Sequence, residues 1–265
     1  MRLHASRSLP PVRALLATLR FWIGQAGARL PGACALCGAT GTHVLCGGCR
    51  ADFFGAPVPR CSCCALQLGS AQRSGPACIQ CLQRPPAFDA TVTAADYAAP
   101  LDQVVLGLKF GARLALAPLF AQQLRAAMSD RPIHHMACAS GDGLPDFLAP
   151  VPLGRARLQE RGFNQSLEIA RSLSSALGVP LLPRLLIRVR DTPPQARLAP
   201  LARRQNLLDA FTLAPQTAGC IRGRHVGVVD DVMTTGATLN EIAATLKHSG
   251  AARVTNLVFA RTPLP

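Results

Sequence analysis

The chain has 265 residues, 49% of them hydrophobic, and a mean hydropathy of +0.23, which suits a packed globular body with room for one ordinary domain and a small module. Its longest apolar runs are too short to cross a bilayer, which excludes the membrane-spanning classes. A formal charge of +14 favours polyanionic partners, nucleic acid or phosphorylated ligands, although charge governs encounter rather than chemistry.

Residues 1–30 carry Arg2, Arg7, Arg13, Arg20 and Arg29 and no acid. Basic residues interrupt the apolar stretch and no cleavage site follows it, so this is a basic extension rather than a secretory leader. Its pattern predicts a short amphipathic helix near residues 10–27 that packs on the body; contact with a membrane surface or nucleic acid is the alternative.

Residues 31–87 hold four Cys-x-x-Cys pairs: Cys34 and Cys37, Cys46 and Cys49, Cys61 and Cys64, Cys78 and Cys81. Each knuckle brings two sulfurs to one ion, so four pairs complete two tetrahedral sites of four thiolates, and the expected metal is structural Zn²⁺. Pairing in chain order is the simplest topology, and cross-bracing is the other. Two such sites lower the formal charge to about +10. The stretch has few large apolar residues, so metal replaces the missing core, as suits a reducing cytoplasm. Cys63 could substitute for a neighbour, whereas Cys138 and Cys220 read as packing thiols.

A globular pattern fills residues 88–265. Thr91–Tyr97 reads as a strand, Leu101–Phe110 and Leu114–Met128 as helices, and Phe147–Pro152 as a short buried strand. Asn164–Leu177 reads as a helix stopped by Gly178 and Pro180, and Leu181–Val189 as a further strand. Arg190–Arg204 has no hydrophobic period and is expected to be a mobile loop. Val226–Val229 and Val254–Phe259 are buried parallel strands flanking a helix over Leu239–Ser249. Strands alternating with helices predict an α/β domain with a parallel sheet and ligands at the carboxyl ends of its strands.

Four constellations point to a sugar-phosphate site. In the first, an apolar strand over 226–229 ends in Asp230 and Asp231 and runs into Thr234, Thr235, Gly236, Ala237 and Thr238 before a helix. Backbone N–H groups at a helix N-terminus suit a phosphate monoester, and the two carboxylates suit sugar hydroxyls or a hard cation such as Mg²⁺. A Walker-B role would want a Gly-x-x-x-x-Gly-Lys-Ser/Thr loop, which the chain lacks. In the second, Arg155, Arg157 and Arg161 precede a helix capped by Asn164, a candidate pyrophosphate-binding loop. In the third, Arg190, Gln195, Arg197, Arg203, Arg204 and Asn206 form a loop that could close over a leaving pyrophosphate. In the fourth, Lys109 at a helix end either reaches a phosphate or complements the helix dipole.

The segment over 226–238 resembles the phosphoribosyl-pyrophosphate (PRPP) signature of type I phosphoribosyltransferases. The resemblance implies that Asp230 and Asp231 bind the ribose 2- and 3-hydroxyls and that the turn Thr234 to Thr238 holds the 5-phosphate. The whole layout resembles the ComF family of double-zinc-ribbon, phosphoribosyltransferase-like proteins. It rests on the Cys module, Leu108-Lys109-Phe110, Val151-Pro152-Leu153 with Arg161-Gly162-Phe163-Asn164-Gln165, Gln195-Ala196-Arg197-Leu198, and the acidic pair with its turn. It covers residues 31–262. It implies a cytoplasmic protein that binds Mg²⁺–PRPP and acts in competence and the use of external DNA. For some members it further implies single-stranded DNA as a partner, with DNA-uptake proteins as others.

Two readings follow. As a transferase, the chain uses Arg161 and neighbouring arginines to neutralise pyrophosphate as it leaves C1. As a binder, it senses PRPP or a nucleotide while the zinc ribbons and basic surface hold DNA or a protein partner. Aromatic residues make up only 5% of the chain, so contact with DNA is expected to be electrostatic rather than built on stacking.

Overall fold

The computed structural model describes residues 32–56, 58–69, 75–130, 143–190, 210–217 and 219–263. Two compact units divide between Cys49 and Arg50. In the first, the two-residue strands β1 (Gly32–Ala33) and β2 (Thr40–Gly41) pair antiparallel. Their hairpin carries Cys34 and Cys37 towards Cys46 and Cys49. The helix α1 (Gly47–Phe54) starts there.

The second unit opens with the knuckle of Cys61 and Cys64 and the short helix α2 (Ile79–Gln83). Then come β3 (Ala90–Asp96), α3 (Leu101–Lys109), a 3₁₀ turn (Leu114–Leu116), α4 (Ala117–Asp130) and β4 (Phe147–Pro150). Next are α5 (Arg155–Arg161), α6 (Gln165–Leu177) and the paired strands β5 (Leu186–Arg188) and β6 (Phe211–Leu213). The chain closes with β7 (His225–Met233), α7 (Ala237–His248) and β8 (Arg253–Arg261).

The main sheet is parallel throughout, in the order β3-β8-β7-β4. Its inner strands are apolar because elements cover both faces, so β7 and β8 do not alternate as a half-wet strand would. On one face Val226 and Val228 pack with Ile242, Ala243 and Leu246 of α7, and Cys61, Cys64, Leu66 and Leu68 belong to the same core. The knuckle is therefore part of the sheet's hydrophobic cluster. Elsewhere in the core, Phe120 of α4 stacks on Phe259 of β8, centroids 3.8 Å apart and nearly parallel. Gly227 lets β7 run close to its neighbours: a Cβ there would meet Leu148 Cδ2 and Pro145 Cγ at 2.8 Å.

Most predicted elements are present, with shifts that have local causes. The helix predicted from Leu114 begins as a 3₁₀ turn and becomes α-helical at Ala117. The strand predicted over Leu181–Val189 narrows to Leu186–Arg188; Leu181 makes a single bridge to Leu148 before Pro183 removes a donor. The basic loop before Asn164 is the helix α5, ended by Gly162 at φ +76°. Residues 1–30 and the segment holding Gln195, Arg197, Arg203, Arg204 and Asn206 lie outside the described residues.

Phe120→Ala is expected to cost about 3–5 kcal/mol, because it empties a ring-sized space beside Phe259. Urea denaturation at equilibrium reads it directly.

Candidate functional site

Beyond the last residue of β4, β7 runs on paired with β8 alone, and a cleft of about 440 Å³ opens at its carboxyl end. A crevice in this position is where open parallel sheets bind ligands, and its size suits a small organic phosphate. Asp230, Asp231 and Thr234–Thr238 line one side; Lys109, Arg157, Arg161, Arg188 and Glu160 stand around the rest.

The acidic pair is held by two different partners. Asp230 Oδ1 accepts from Ser166 Oγ at 2.7 Å and from its neighbour's backbone N–H, that of Asp231, at 2.9 Å. Asp231, 3% exposed, has Lys109 Nζ 3.0 Å from Oδ2, while its Oδ1 accepts from Val232 N–H at 2.8 Å. Burial and the adjacent Asp231 charge push the Asp230 carboxyl up to about 7, against the opposing pull of Ser166 and Lys109. Asp230 thus holds its proton to higher pH than an ordinary aspartate.

Ser166 reaches Asp230 because Asn164 fixes the start of α6. The Asn164 side chain caps that helix by accepting from Ser166 N–H and Leu167 N–H, and its Nδ2 donates to the Val151 carbonyl at 3.0 Å. One residue therefore ties α6 to the end of β4 and aims the next turn at the cleft. Arg161, at the end of α5, donates from Nη1 to Gln165 Oε1 at 3.2 Å and lies 4.8 Å over the Phe110 ring. Its buried Nε has no hydrogen-bond partner among the described residues.

Gly236, the N-cap of α7, takes φ +80°, and a Cβ there would stand 2.5 Å from Met233 Cε. The Thr235 hydroxyl accepts from Ala237 N–H at 3.4 Å, while the N–H groups of Thr234, Thr235 and Gly236 donate to no acceptor among the described residues. Thr234 and Thr235 are exposed to the cleft.

The structure brings Asp230, Asp231, Arg161, Lys109 and Thr234 to Thr238 to one cleft. Arg155 is exposed and outside the lining; Arg157, two residues on, stands there instead. Lys109 pairs with Asp231 rather than only capping its helix. Ser166 and the exposed Phe110 lie within stretches that the sequence marks, but neither is given a role of its own there. Ser166 carried a usable signal, as the second residue after an N-cap near the strand end.

Both cysteine quartets come together in chain order, Cys34, Cys37, Cys46 and Cys49, then Cys61, Cys64, Cys78 and Cys81, with all sulfurs of a set within 4.8 Å of one another. The Cys37–Cys46 and Cys64–Cys78 sulfurs lie 3.7 Å apart, close to the ~3.8 Å edge of a tetrahedral zinc thiolate site. Backbone N–H groups of Cys46 and Cys49 donate to Cys34 and Cys46 sulfurs, and those of Cys64 and Cys78 donate to Cys61. The Cys64 side chain and these amides bring Cys61 down to about 4. For Cys34, burial is outweighed by amides, which lower it to about 6. Burial and neighbouring sulfurs push Cys49 up to about 12, as expected where four thiolates need a cation between them. The donor sets fit Zn²⁺.

No helix among the described residues is long and apolar enough to cross a membrane. No family model matches the chain. It is 37% identical over 237 residues to DNA utilization protein YhgH of Escherichia coli O157:H7, covering 88% of this chain and 98% of that protein. It is 34% identical over 210 residues to Competence protein F of Haemophilus influenzae, covering 79% and 87%. Among solved structures, the purine phosphoribosyltransferase from Pyrococcus horikoshii Ot3 aligns over 65% of this chain and 87% of that one, at 17% identity and a TM-score of 0.28.

The fold holds the Asp230 proton more tightly than an unfolded chain, in which aspartate titrates near 3.8. Stability therefore falls as pH rises from about 4 to 7, where the unfolded state has lost that proton and the native state has not, and stays lowered above. Asp230→Asn keeps the acceptor for Ser166 and removes this cost, so it is expected to stabilise the protein at pH 7.5 by on the order of 1–2 kcal/mol, with little effect at pH 4. Thermal unfolding of both proteins at the two pH values checks this.

Proposed function

The chain belongs to the ComF family of DNA-utilisation and competence proteins, with a type I phosphoribosyltransferase-like sheet and two four-cysteine clusters, and from that premise we propose that it binds PRPP with Mg²⁺ and acts in the use of external DNA. The observation that carries the reading is the contiguity, in one cleft, of an acidic pair and a turn whose Thr234, Thr235 and Gly236 N–H groups have no acceptor among the described residues. A phosphorylated pentose needs both: hydroxyls want carboxylate acceptors, and a phosphate wants amides.

In this reading the 5-phosphate accepts from the N–H groups over Thr234 to Thr238, and Gly236 allows close approach. The ribose diol donates to Asp230 and Asp231, displacing Lys109 Nζ from Asp231 and freeing that ammonium for the ligand's own negative charge. Arg161 and Arg157 face the pyrophosphate end. Their fixed charges stabilise the leaving group in a transferase and simply hold it in a binder. Phe110, whose ring lies 4.8 Å from the Arg161 guanidinium carbon, helps to hold that group at the cleft. Mg²⁺ suits the hard carboxylate oxygens of Asp230 and Asp231 and supplies neutralising charge when bound. The quartets hold structural Zn²⁺, with no open position for a reacting water. The setting is cytoplasmic, where thiols stay reduced. Basic surface on this +14 chain attracts single-stranded DNA or an acidic protein of the uptake machinery.

Titration calorimetry with PRPP and Mg²⁺ is expected to show one site. Asp230→Asn with Asp231→Asn is expected to weaken it at least ~100-fold, since two charge-assisted acceptors are lost. Normal affinity in that double variant, or no heat with the unaltered protein, would contradict the reading. Arg161→Ala is expected to weaken PRPP about tenfold while leaving ribose 5-phosphate, which lacks the pyrophosphate, within about twofold.

A further inference from the structure

Arg261, the last residue of β8, is 6% exposed and sits opposite Met233 in the sheet register. No carboxylate pairs with it among the described residues. Every acceptor it has is a backbone carbonyl. Nε donates to the Cys64 carbonyl at 3.0 Å; Nη1 donates to those of Met233 at 3.1 Å, Thr262 at 2.9 Å, and Thr234. A buried guanidinium without a counter-ion is costly, so what its hydrogen bonds fix is worth following.

They fix two things that are distant in sequence. On one side the guanidinium holds the carbonyl of a residue in the second cysteine cluster. Arg60 reinforces that side, donating to the Ala65 carbonyl at 3.3 Å and forming a two-point pair with Asp96 at 2.6 and 2.9 Å. On the other side it turns the carbonyls of Met233 and Thr234 away from solvent. In a trans peptide the C=O and the following N–H point in opposite directions. Holding those carbonyls therefore directs the N–H groups of Thr234 and Thr235 the opposite way, at the turn that lines the cleft.

We propose that Arg261 is a positioning residue that couples the Cys61–Cys64–Cys78–Cys81 cluster to the phosphate end of the cleft, so that metal-held geometry in the cluster sets the affinity of the turn for a phosphate monoester. The ligand class rests on the PRPP reading above; the coupling itself does not. A metal bound by the Cys64 sulfur fixes the Cys64 backbone, the carbonyl fixes Arg261, and Arg261 fixes the two amides. Loss of the metal loosens the first link and leaves the others to follow. Arg261 touches no ligand in this scheme and acts through the loop.

The test uses full-length protein, ribose 5-phosphate as the probe, and ¹⁵N amide resonances of Thr234 and Thr235 as a readout that needs no ligand. Resonances of Val226 and Val228 report whether the sheet is intact. Arg261→Lys keeps a charge but cannot span the four carbonyls. It is expected to shift both threonine amides, leave the valines in place and weaken ribose 5-phosphate about tenfold. Cys78→Ser, which breaks the cluster without touching Arg261, is expected to do the same, and Arg171→Gln on the surface to do neither. Unmoved threonine amides in either folded variant overturn the coupling, whatever the calorimetry shows. If one variant fails to fold the other decides, and unfolding of both overturns it, because Arg261 would then serve folding alone. If the amides move as expected but the unaltered protein binds no ribose 5-phosphate, the coupling stands and the PRPP reading falls.

Discussion

Two carboxylates on consecutive residues, Asp230 and Asp231, repel each other at the partly buried end of a strand, and the cleft is organised around containing that repulsion. The period of a strand turns neighbours in different directions, which gives each acid its own partner: the Ser166 hydroxyl for one and the Lys109 ammonium for the other. Each partner is delivered by a helix end, and Asn164 holds one of those ends to β4. Containment is incomplete, since Asp230 retains its proton to about pH 7. A fold gains nothing in stability from such a pair, so the arrangement makes sense as a site that waits for hydroxyls or a cation to complete it.

The thiolate clusters solve a different problem. Small segments with little apolar content fold poorly on burial alone, and an ion held by four sulfurs would replace the missing core. In the second unit that replacement is fused to the sheet, because Cys61, Cys64 and Cys78 lie in the same hydrophobic cluster as Val226 and Ile242. A ribbon attached in this way shares its rigidity with the β7–α7 turn, which gives a physical reason for the two parts to sit in one chain.

The residues whose chemistry is local were legible in the sequence. Cys-x-x-Cys spacing, an acidic pair after Val226–Val229, and a Thr-Gly-Ala-Thr turn before a helix each state their geometry within a few positions. Parallel strands were legible for the same reason: β7 and β8 carry the apolar runs Val226–Val229 and Leu257–Ala260. Contacts made across the sheet were not. Ser166 is 64 positions from Asp230 and Arg261 is 197 from Cys64, and no periodicity announces such pairings. Arg155 and Arg157 could not be told apart without knowing that the basic stretch is helical, because two positions along a helix turn a side chain well over a quarter of the way round. Arg261 did carry one signal, a cation directly after the apolar run Leu257–Ala260.

The central claim is that the acidic pair receives a sugar phosphate in its ionised form. Proton exchange on binding tests it most directly: calorimetry of PRPP with Mg²⁺ at pH 7 in two buffers of different ionisation enthalpy. Because ligand hydroxyls and a cation favour the carboxylate, binding at pH 7 is expected to release protons, and to release fewer at pH 8.5. Binding with no release at pH 7, or with proton uptake, would contradict it.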